Sequence, residues 1–384
     1  MLIFDTHPIQ YRAPVFKALF KKDPSTEVFY FNQQFDGSKW WFHEVGKIPK
    51  QDFKIELREG FPSQILHTKD MTFFQKVSKL KQILKEANPS AVALYGYYLP
   101  EHWILRFLTQ FLSIPLIFIG ETYENRNPGW RQFIKRPLIS LFFSGVSQFI
   151  AIGNKTKKYY EQSYHVSKSK IVGAKYCTDV SFFELDPIES TRVREQWRKD
   201  NHIEPEDFVM LFVGRLFERK RPLDVLKIHQ SLSRHKKVHT LMVGNGPMEA
   251  ILRNLTQDLK NFHFLGFRNQ HQLKEIYHAT DLLLVPSEYE TWGLVTNEAF
   301  AAGTTAIVSD TCGCANDLVI PNETGMVFPL GEVQKATSWI ETLLAQPSLL
   351  EEIKSKAKEK VSREFHCEQF ADAFVSAKHR IGNP

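Results

Sequence analysis

The segment VPSEYETWGLVTNEAFAAG, residues 285–303, holds the strand-to-helix change around which the second half of the chain is organised. Residues 282–285 are an apolar run of the kind that makes a buried parallel strand, and Pro286 and Ser287 end it. A loop with Glu288 and Glu290 follows. From Gly293 the spacing becomes helical, with Leu294, Val295, Ala299 and Ala302 apolar around Glu298, and Gly303 closes the helix. A helix N-terminus therefore lies between two carboxylates. Its open N–H groups, near Gly293, Leu294 and Val295, favour an anion such as phosphate, whereas Glu290 and Glu298 accept hydrogen bonds from hydroxyls or amines. A sugar nucleotide offers both features. Taken alone, the two acids also fit a solvated loop carboxylate and a first-turn acid set against the helix dipole.

Outward from this junction, strands at 208–213, 239–243, 262–265, 282–285 and 306–309 alternate with helices at 222–234, 248–259, 272–279 and 294–302. Such alternation predicts a parallel sheet covered by helices on both faces, with three more helices at 333–345, 348–365 and 369–381. The first half shows the same α/β rhythm, with strands at 2–4, 27–31, 91–95, 116–119, 149–152 and 171–174. Between 184 and 206 the composition turns polar and charged, which places the domain boundary near 184. The expected division is 1–184, 185–365 and a last helix over 366–384.

A chain of 384 residues suits two ordinary domains, and 43% hydrophobic with 24% charged residues excludes disordered and fibrous classes. No apolar run approaches the ~18 residues of a membrane span. Asp5, His7 and Arg12 break up the N-terminus, which reads against a signal peptide, and four cysteines without a regular framework fit a reducing compartment. The expected location is cytoplasmic, with peripheral contact at the inner face of a membrane. Residues 1–184 carry 25 Lys+Arg against 16 Asp+Glu, and the remainder 24 against 27. The basic half points to a phosphorylated substrate or an anionic membrane surface. No RRM, KH or zinc-finger signature supports a nucleic-acid partner.

Other stretches carry chemistry. Gly214-Arg215-Leu216 follows the first strand of the second half and Lys220 comes shortly after, so two cations stand where doubly wound sheets gather ligand groups. A diphosphate is matched by one planar and one point-like positive group. Gly244-Asn245-Gly246-Pro247 follows the next strand, but Glu249 stands where a dinucleotide fingerprint needs its third glycine, so that turn is left to let a flat base approach the backbone. Cys312-Gly313-Cys314 lacks the spaced pairs of a zinc site and reads as thiols near a loop. No Asp-X-Asp occurs, so no metal is expected to hold the diphosphate, and the Arg and Lys pair becomes more necessary.

In the first half, the loop from Gly120 through Glu121 to Arg126 follows a strand and is a second candidate ligand loop. Trp40, Trp41 and Phe42 read as a buried aromatic cluster. Residues 71–87 predict a helix with Phe74, Val77, Leu80, Ile83 and Leu84 on one face and lysines on the other, and 130–143 predict a basic amphipathic helix. Both could lie on lipid or be ordinary domain helices.

With Arg215, Lys220, Glu290 and Glu298 read together, the chain resembles the group 1 glycosyltransferases, family GT4, of the GT-B fold. VGRLFERKRPLDVL resembles the family's pyrophosphate-binding turn, LMVGNGP its nucleotide-side glycine turn, and ETWGLVTNE its E-x7-E motif. GCANDLVIPNETGMVF resembles the segment after it, with Asp317 where the family usually has Glu, and AKYCTDVSFF the segment entering the linker. The likeness covers most of 149–330.

It implies two Rossmann-like doubly wound domains facing a central cleft, the first for the acceptor and the second for the donor, with the C-terminal helix crossing back to the first. It assigns Arg215 and Lys220 to the donor diphosphate, Glu290 to hydroxyls of the transferred sugar and Glu298 to the ribose. Gly214, Gly244, Gly246, Trp292, Gly293, Leu294 and Val295 would complete the donor site. The family's glycine-rich first turn is replaced by His7-Pro8-Ile9-Gln10-Tyr11, so His7, Gln10 and Tyr11, with Glu121, are candidates for the acceptor or donor sugar. The implied activity is retaining, cofactor-free and metal-independent transfer of a hexose from a UDP- or GDP-sugar to an acceptor hydroxyl, on a lipid-linked glycan or other polysaccharide precursor. A sugar-nucleotide epimerase of the same architecture and a non-catalytic binding protein are the alternatives.

Overall fold

The computed structural model describes residues 1–33, 57–123, 130–235 and 237–382, the side chains of 130–134 apart. Trp40, Trp41 and Phe42, and the 124–126 part of the loop after Gly120, lie outside the described residues. The chain divides into two compact units, Met1–Lys175 with Cys367–Pro384, and Tyr176–His366.

The first unit is built on a seven-stranded parallel sheet of β1 (Leu2–Asp5), β2 (Glu27–Tyr30), β3 (Ser63–Ile65), β4 (Val92–Tyr95), β5 (Leu116–Gly120), β6 (Gln148–Ile152) and β7 (Ile171–Ala174), in the order β3-β2-β1-β4-β5-β6-β7. Its helices are α1 (Ala13–Lys22), α2 (Phe73–Ala87), α3 (Pro100–Phe111), α4 (Trp130–Ser144) and α5 (Gly153–Ser163). β1, β4 and β6 are buried at every position, as strands covered on both faces must be. The last helix of the chain, α14 (Cys367–Gly382), belongs to this unit and packs along α1, with Lys378 to Asp23 at 2.7 Å.

α2 starts on a capping box made by Thr72 and Gln75. Its buried face is narrower than the apolar face the spacing predicts. Leu80, Ile83 and Leu84 are buried, but Phe74 is 82% exposed. At about 100° per residue, Phe74 lies roughly 120° around the axis from Leu80 and so points away from the sheet.

The second unit carries a six-stranded parallel sheet of β8 (Phe208–Val213), β9 (Val238–Val243), β10 (Phe262–Gly266), β11 (Leu282–Val285), β12 (Thr305–Ser309) and β13 (Gly325–Phe328), in the order β10-β9-β8-β11-β12-β13. Its helices are α6 (Val180–Phe183), α7 (Pro187–Asp200), α8 (Pro222–Ser231), α9 (Glu249–Leu255), α10 (Gln270–Ala279), α11 (Leu294–Ala301), α12 (Val333–Ala345) and α13 (Pro347–Glu364). Met210, Phe212, Met242, Leu284 and Ile307 form the core beneath α8, α12 and α13.

The boundary falls at Lys175/Tyr176 rather than at 184. Phe183 sets its ring 5.9 Å from Tyr277, and its carbonyl bonds His278 Nε2 at 2.9 Å. The change of composition at 184 marks the start of the solvated helix α7, while the apolar residues before it are already part of the second core.

Candidate functional site

Strands β8 and β11 lie side by side, yet β9 and β10 extend the sheet on one side while β12 and β13 extend it on the other. This reversal is the topological switch point, where open α/β sheets hold ligands beyond the carboxyl ends of their strands. The turn after β8 carries Gly214, Arg215 and Lys220, and the loop after β11 carries Glu288, Glu290 and Gly293.

The β8 and β9 turns are knitted together. The Leu216 N–H donates to the Asn245 carbonyl at 3.1 Å, and the Met248 N–H to the Leu216 carbonyl at 3.1 Å. A Cβ on Gly246 would come within 2.6 Å of the Leu216 oxygen, so this close approach requires glycine. Gly244 bonds the Gly266 carbonyl at 2.8 Å. Both glycines therefore set the rim of the Arg215 turn as well as any base-binding surface.

The cationic turn is joined to the acidic loop at two points. The Glu288 N–H donates to the Arg219 carbonyl at 2.7 Å, and the Lys220 ammonium pairs with the Glu290 carboxylate. Both side chains of that pair keep about a fifth of their surface open, 20% and 19%. The Arg215 guanidinium, half-buried, lies 6.0 Å from the centre of the Phe217 ring. Burial, and after it the charge of Arg219, pull it below its ordinary pKa, but arginine remains a cation.

Gly293 caps α11 at φ +97°, a left-handed conformation, without a side-chain cap bond. Leu294 and Val295 are half-buried and begin the helix, so their amides are among those that an α-helix leaves without internal acceptors.

The structure turns two expected donor contacts inward. Trp292 is 1% exposed, its indole N–H donates to Asn297 Oδ1 at 2.8 Å, and Asn297 in turn donates to the Tyr176 carbonyl at 2.9 Å. Its side chain is a core anchor, because a buried indole N–H is satisfied from within. Glu298 is likewise 1% exposed, with Oε2 accepting from the Tyr277 hydroxyl at 2.8 Å.

One group of residues was missed by the sequence reading. Residues 312–314 run beside the 290–293 loop as an added length of sheet. Glu290 and Cys312 form a parallel bridge, the Gly313 N–H donates to the Glu290 carbonyl at 2.8 Å, and the Cys314 N–H to the Trp292 carbonyl at 3.0 Å. A Cβ on Gly313 would stand 1.9 Å from the Thr291 oxygen, so only glycine fits. The signal available was Gly313 itself, between two cysteines that are buried.

In the first unit, His7, Gln10, Tyr11 and Glu121 are each half-buried. The turn after β1 is organised by Asp5, which the sequence reading passed over. Asp5 Oδ1 accepts from the Thr6 N–H at 2.7 Å and from Arg12 at 2.5 Å, and Thr6 Oγ1 shares a hydrogen bond with His7 Nδ1 at 2.8 Å. Burial lowers the His7 pKa to about 4, with Asp5 raising it and Arg12 lowering it, so the ring is neutral near pH 7. The Tyr98 phenol is raised by desolvation of its hydroxyl, although the residue as a whole is 46% exposed, and Thr6, Arg12, Asp5 and Glu121 are the groups it feels next. His7 and Glu121 thus border one polar patch at the carboxyl ends of β1, β4 and β5.

Residues 193–360 match the family model described as Glycosyl transferases group 1. The chain is 27% identical over 198 residues to an uncharacterized glycosyltransferase of Methanocaldococcus jannaschii, covering 50% of each. It is 30% identical over 206 residues to a D-inositol 3-phosphate glycosyltransferase of Gordonia bronchialis, covering 49% of this chain and 43% of that one. The chain thus spans about half the length of the curated relatives it matches. Its fold is that of the crystal structure of Anabaena Alr3699/HepE in complex with UDP, with a TM-score of 0.74 at 16% identity and 98% of both chains covered.

Proposed function

We propose, on the match of residues 193–360 to the family model described as Glycosyl transferases group 1, that the protein moves a hexose from a nucleotide-sugar, a UDP- or GDP-sugar, to an acceptor hydroxyl, with retention of anomeric configuration and without a metal. The observation that carries the reading is the joining of Lys220 to Glu290 beside the start of α11. One point combines a cation for the diphosphate, helix amides for its oxygens and a carboxylate for sugar hydroxyls.

In the reaction, the bond from the anomeric carbon to the diphosphate oxygen breaks and negative charge grows on the diphosphate. Arg215, Lys220 and the amides of Leu294 and Val295 stabilise that charge where it develops. Removing one such donor costs on the order of 100-fold to 1000-fold in rate. The acceptor hydroxyl forms the new bond on the face the diphosphate leaves, and its proton passes to the departing diphosphate, so no protein base is needed. Glu290 orients the sugar. Glu298, held by Tyr277, is the group for the ribose hydroxyls, a role that its burial confines to a short contact at the floor of the site. The polar patch around His7, Tyr98 and Glu121 receives the acceptor, the end of a lipid-linked glycan or other polysaccharide precursor, and the protein works peripherally at the inner face of the membrane.

Transfer is measured with UDP-, GDP- and dTDP-sugars plus a chelator, with lipid-linked and soluble glycan acceptors. One donor should be consumed only when acceptor is present, and Lys220→Ala and Glu290→Ala should lose that activity. Undiminished transfer by both variants refutes the site. Epimerised donor formed without acceptor supports the epimerase instead, and binding without turnover a non-catalytic module.

A further inference from the structure

The crossovers from β3 through α2 to β4, from β4 through α3 to β5 and from β5 through α4 to β6 all advance along the sheet in one direction. Right-handed crossovers of that kind set their helices on the same face. α2, α3 and α4 therefore form one layer of the first unit. Lys76 pairs with Glu101 at 2.7 Å and the Lys81 ammonium lies 6.0 Å from the Phe111 ring, which ties α2 to α3. The Trp103 ring stands 5.1 Å from Phe142, which ties α3 to α4, and 6.2 Å from Phe107 on its own helix.

The outer side of this layer is apolar to an unusual degree. Phe73 is 59% exposed, Phe74 82%, Phe107 51%, Phe111 75%, Leu138 55% and Leu141 51%. Single exposed apolar residues are ordinary, but a run of them across neighbouring helices marks a surface that meets something. Two of these aromatics come as a T-shaped pair, Phe73 and Phe74, with centres 5.9 Å apart.

We propose that the outer face of α2–α3–α4 docks on an anionic lipid bilayer, with Phe73, Phe74, Phe107 and Phe111 entering the boundary between headgroups and acyl chains. Charge decides the occupant. α2 carries Lys76, Lys79, Lys81 and Lys85 against Glu86 as its one carboxylate, and Lys79 and Lys85 are exposed. Lysines beside inserted aromatics suit anionic headgroups. A second copy of the chain, meeting this face in a two-fold contact, would set lysines against lysines. The contact is peripheral in kind: among the described residues no helix is long and apolar enough to cross a membrane. This surface deepens the peripheral membrane location of the proposed function and rests on it for that location alone; docking is read without donor or acceptor, so its failure leaves sugar transfer to be tested separately.

The full chain is sedimented with phosphatidylcholine vesicles with and without phosphatidylglycerol. The bound fraction should rise about tenfold with phosphatidylglycerol and fall as salt is raised. Phe74→Ser with Phe111→Ser should lower binding about tenfold at an unchanged melting temperature, since both rings are exposed, and Lys79→Glu with Lys85→Glu should lower it independently. Equal binding to both vesicle types, no binding, or binding that survives both variants overturns the proposal. So does a concentration-dependent dimer in analytical ultracentrifugation that Phe74→Ser with Phe111→Ser abolishes, since that gives the face to a second copy.

Discussion

Replacing Gly313 with alanine separates a positioned site from a merely present one. The added Cβ would stand 1.9 Å from the Thr291 oxygen, 2.6 Å from its carbonyl carbon and 2.8 Å from Trp292 Cα. All three are backbone atoms, so no side-chain rotation relieves the clash. Reaching ordinary contact moves the 290–293 loop away from 312–314 by about 1.5 Å. The bonds from Gly313 to Glu290 at 2.8 Å and from Cys314 to Trp292 at 3.0 Å stretch with it. A displacement of about 1 Å in a group that positions substrate costs on the order of 100-fold, or about 3 kcal/mol in barrier height. Steady-state kinetics with the donor should show kcat/KM down by about that factor, with native near-UV circular dichroism and a melting temperature lower by only a few degrees. Gly173→Ala, where a Cβ meets nothing within 4 Å, is the silent control. Gly313→Ala activity within threefold of wild type refutes the reasoning, and so does a loss that comes with global unfolding.

Glu290→Gln removes the carboxylate that competes with a diphosphate for Lys220, so calorimetry should find a nucleoside diphosphate bound no more weakly than before while sugar transfer falls about tenfold or more; weaker diphosphate binding contradicts this. Asp281→Asn should cost about 3–5 kcal/mol in urea unfolding, because the buried Arg198, 2.8 Å from the Asp281 carboxylate, loses its counter-charge. Burial pushes the Asp281 carboxyl upward, but Arg194, Arg198, Lys354 and the Val209 amide outweigh it and the net shift is downward. Its stabilisation is therefore present above the unfolded carboxylate pKa and lost as pH falls through the folded value, a loss the asparagine variant should not show. His229 and His278 are held neutral, each lowered to about 4 chiefly by burial. The unfolded chain takes up their protons first, so stability falls as pH drops from about 6.5 to 4. At about pH 5 the loss is roughly 2 kcal/mol per histidine, and His278→Gln should remove its share; an unchanged acid limb refutes the assignment.

The sheet of the second unit was legible because β8 and β11 are short apolar runs, and β9 and β12 mostly apolar ones, fit for burial on both faces. The pairing of Lys220 with Glu290 was legible only as two strand ends, and the strand order brings them together. The facing of α11 was not legible. Residues 296–301 are all buried, so the helix has no amphipathic phase to show that Glu298 points inward. Trp292 misleads for a related reason, since an indole beside a ligand loop and one that closes a core look alike in sequence. The support from 312–314 is made by main-chain bonds and leaves no side-chain motif. Phe74 shows the converse failure: its spacing groups it with Leu80, Ile83 and Leu84, yet it is exposed while they are buried.

In the proposed reaction Lys220, beside Glu290 and the start of α11, receives the diphosphate of a nucleotide donor. Calorimetric titration of UDP and of GDP into the wild-type chain and into Lys220→Ala tests it directly. One nucleotide should bind the wild type, and its affinity should fall about 100-fold in the variant, about 3 kcal/mol. Equal affinity for both chains, or no binding of either nucleotide by the wild type, contradicts it.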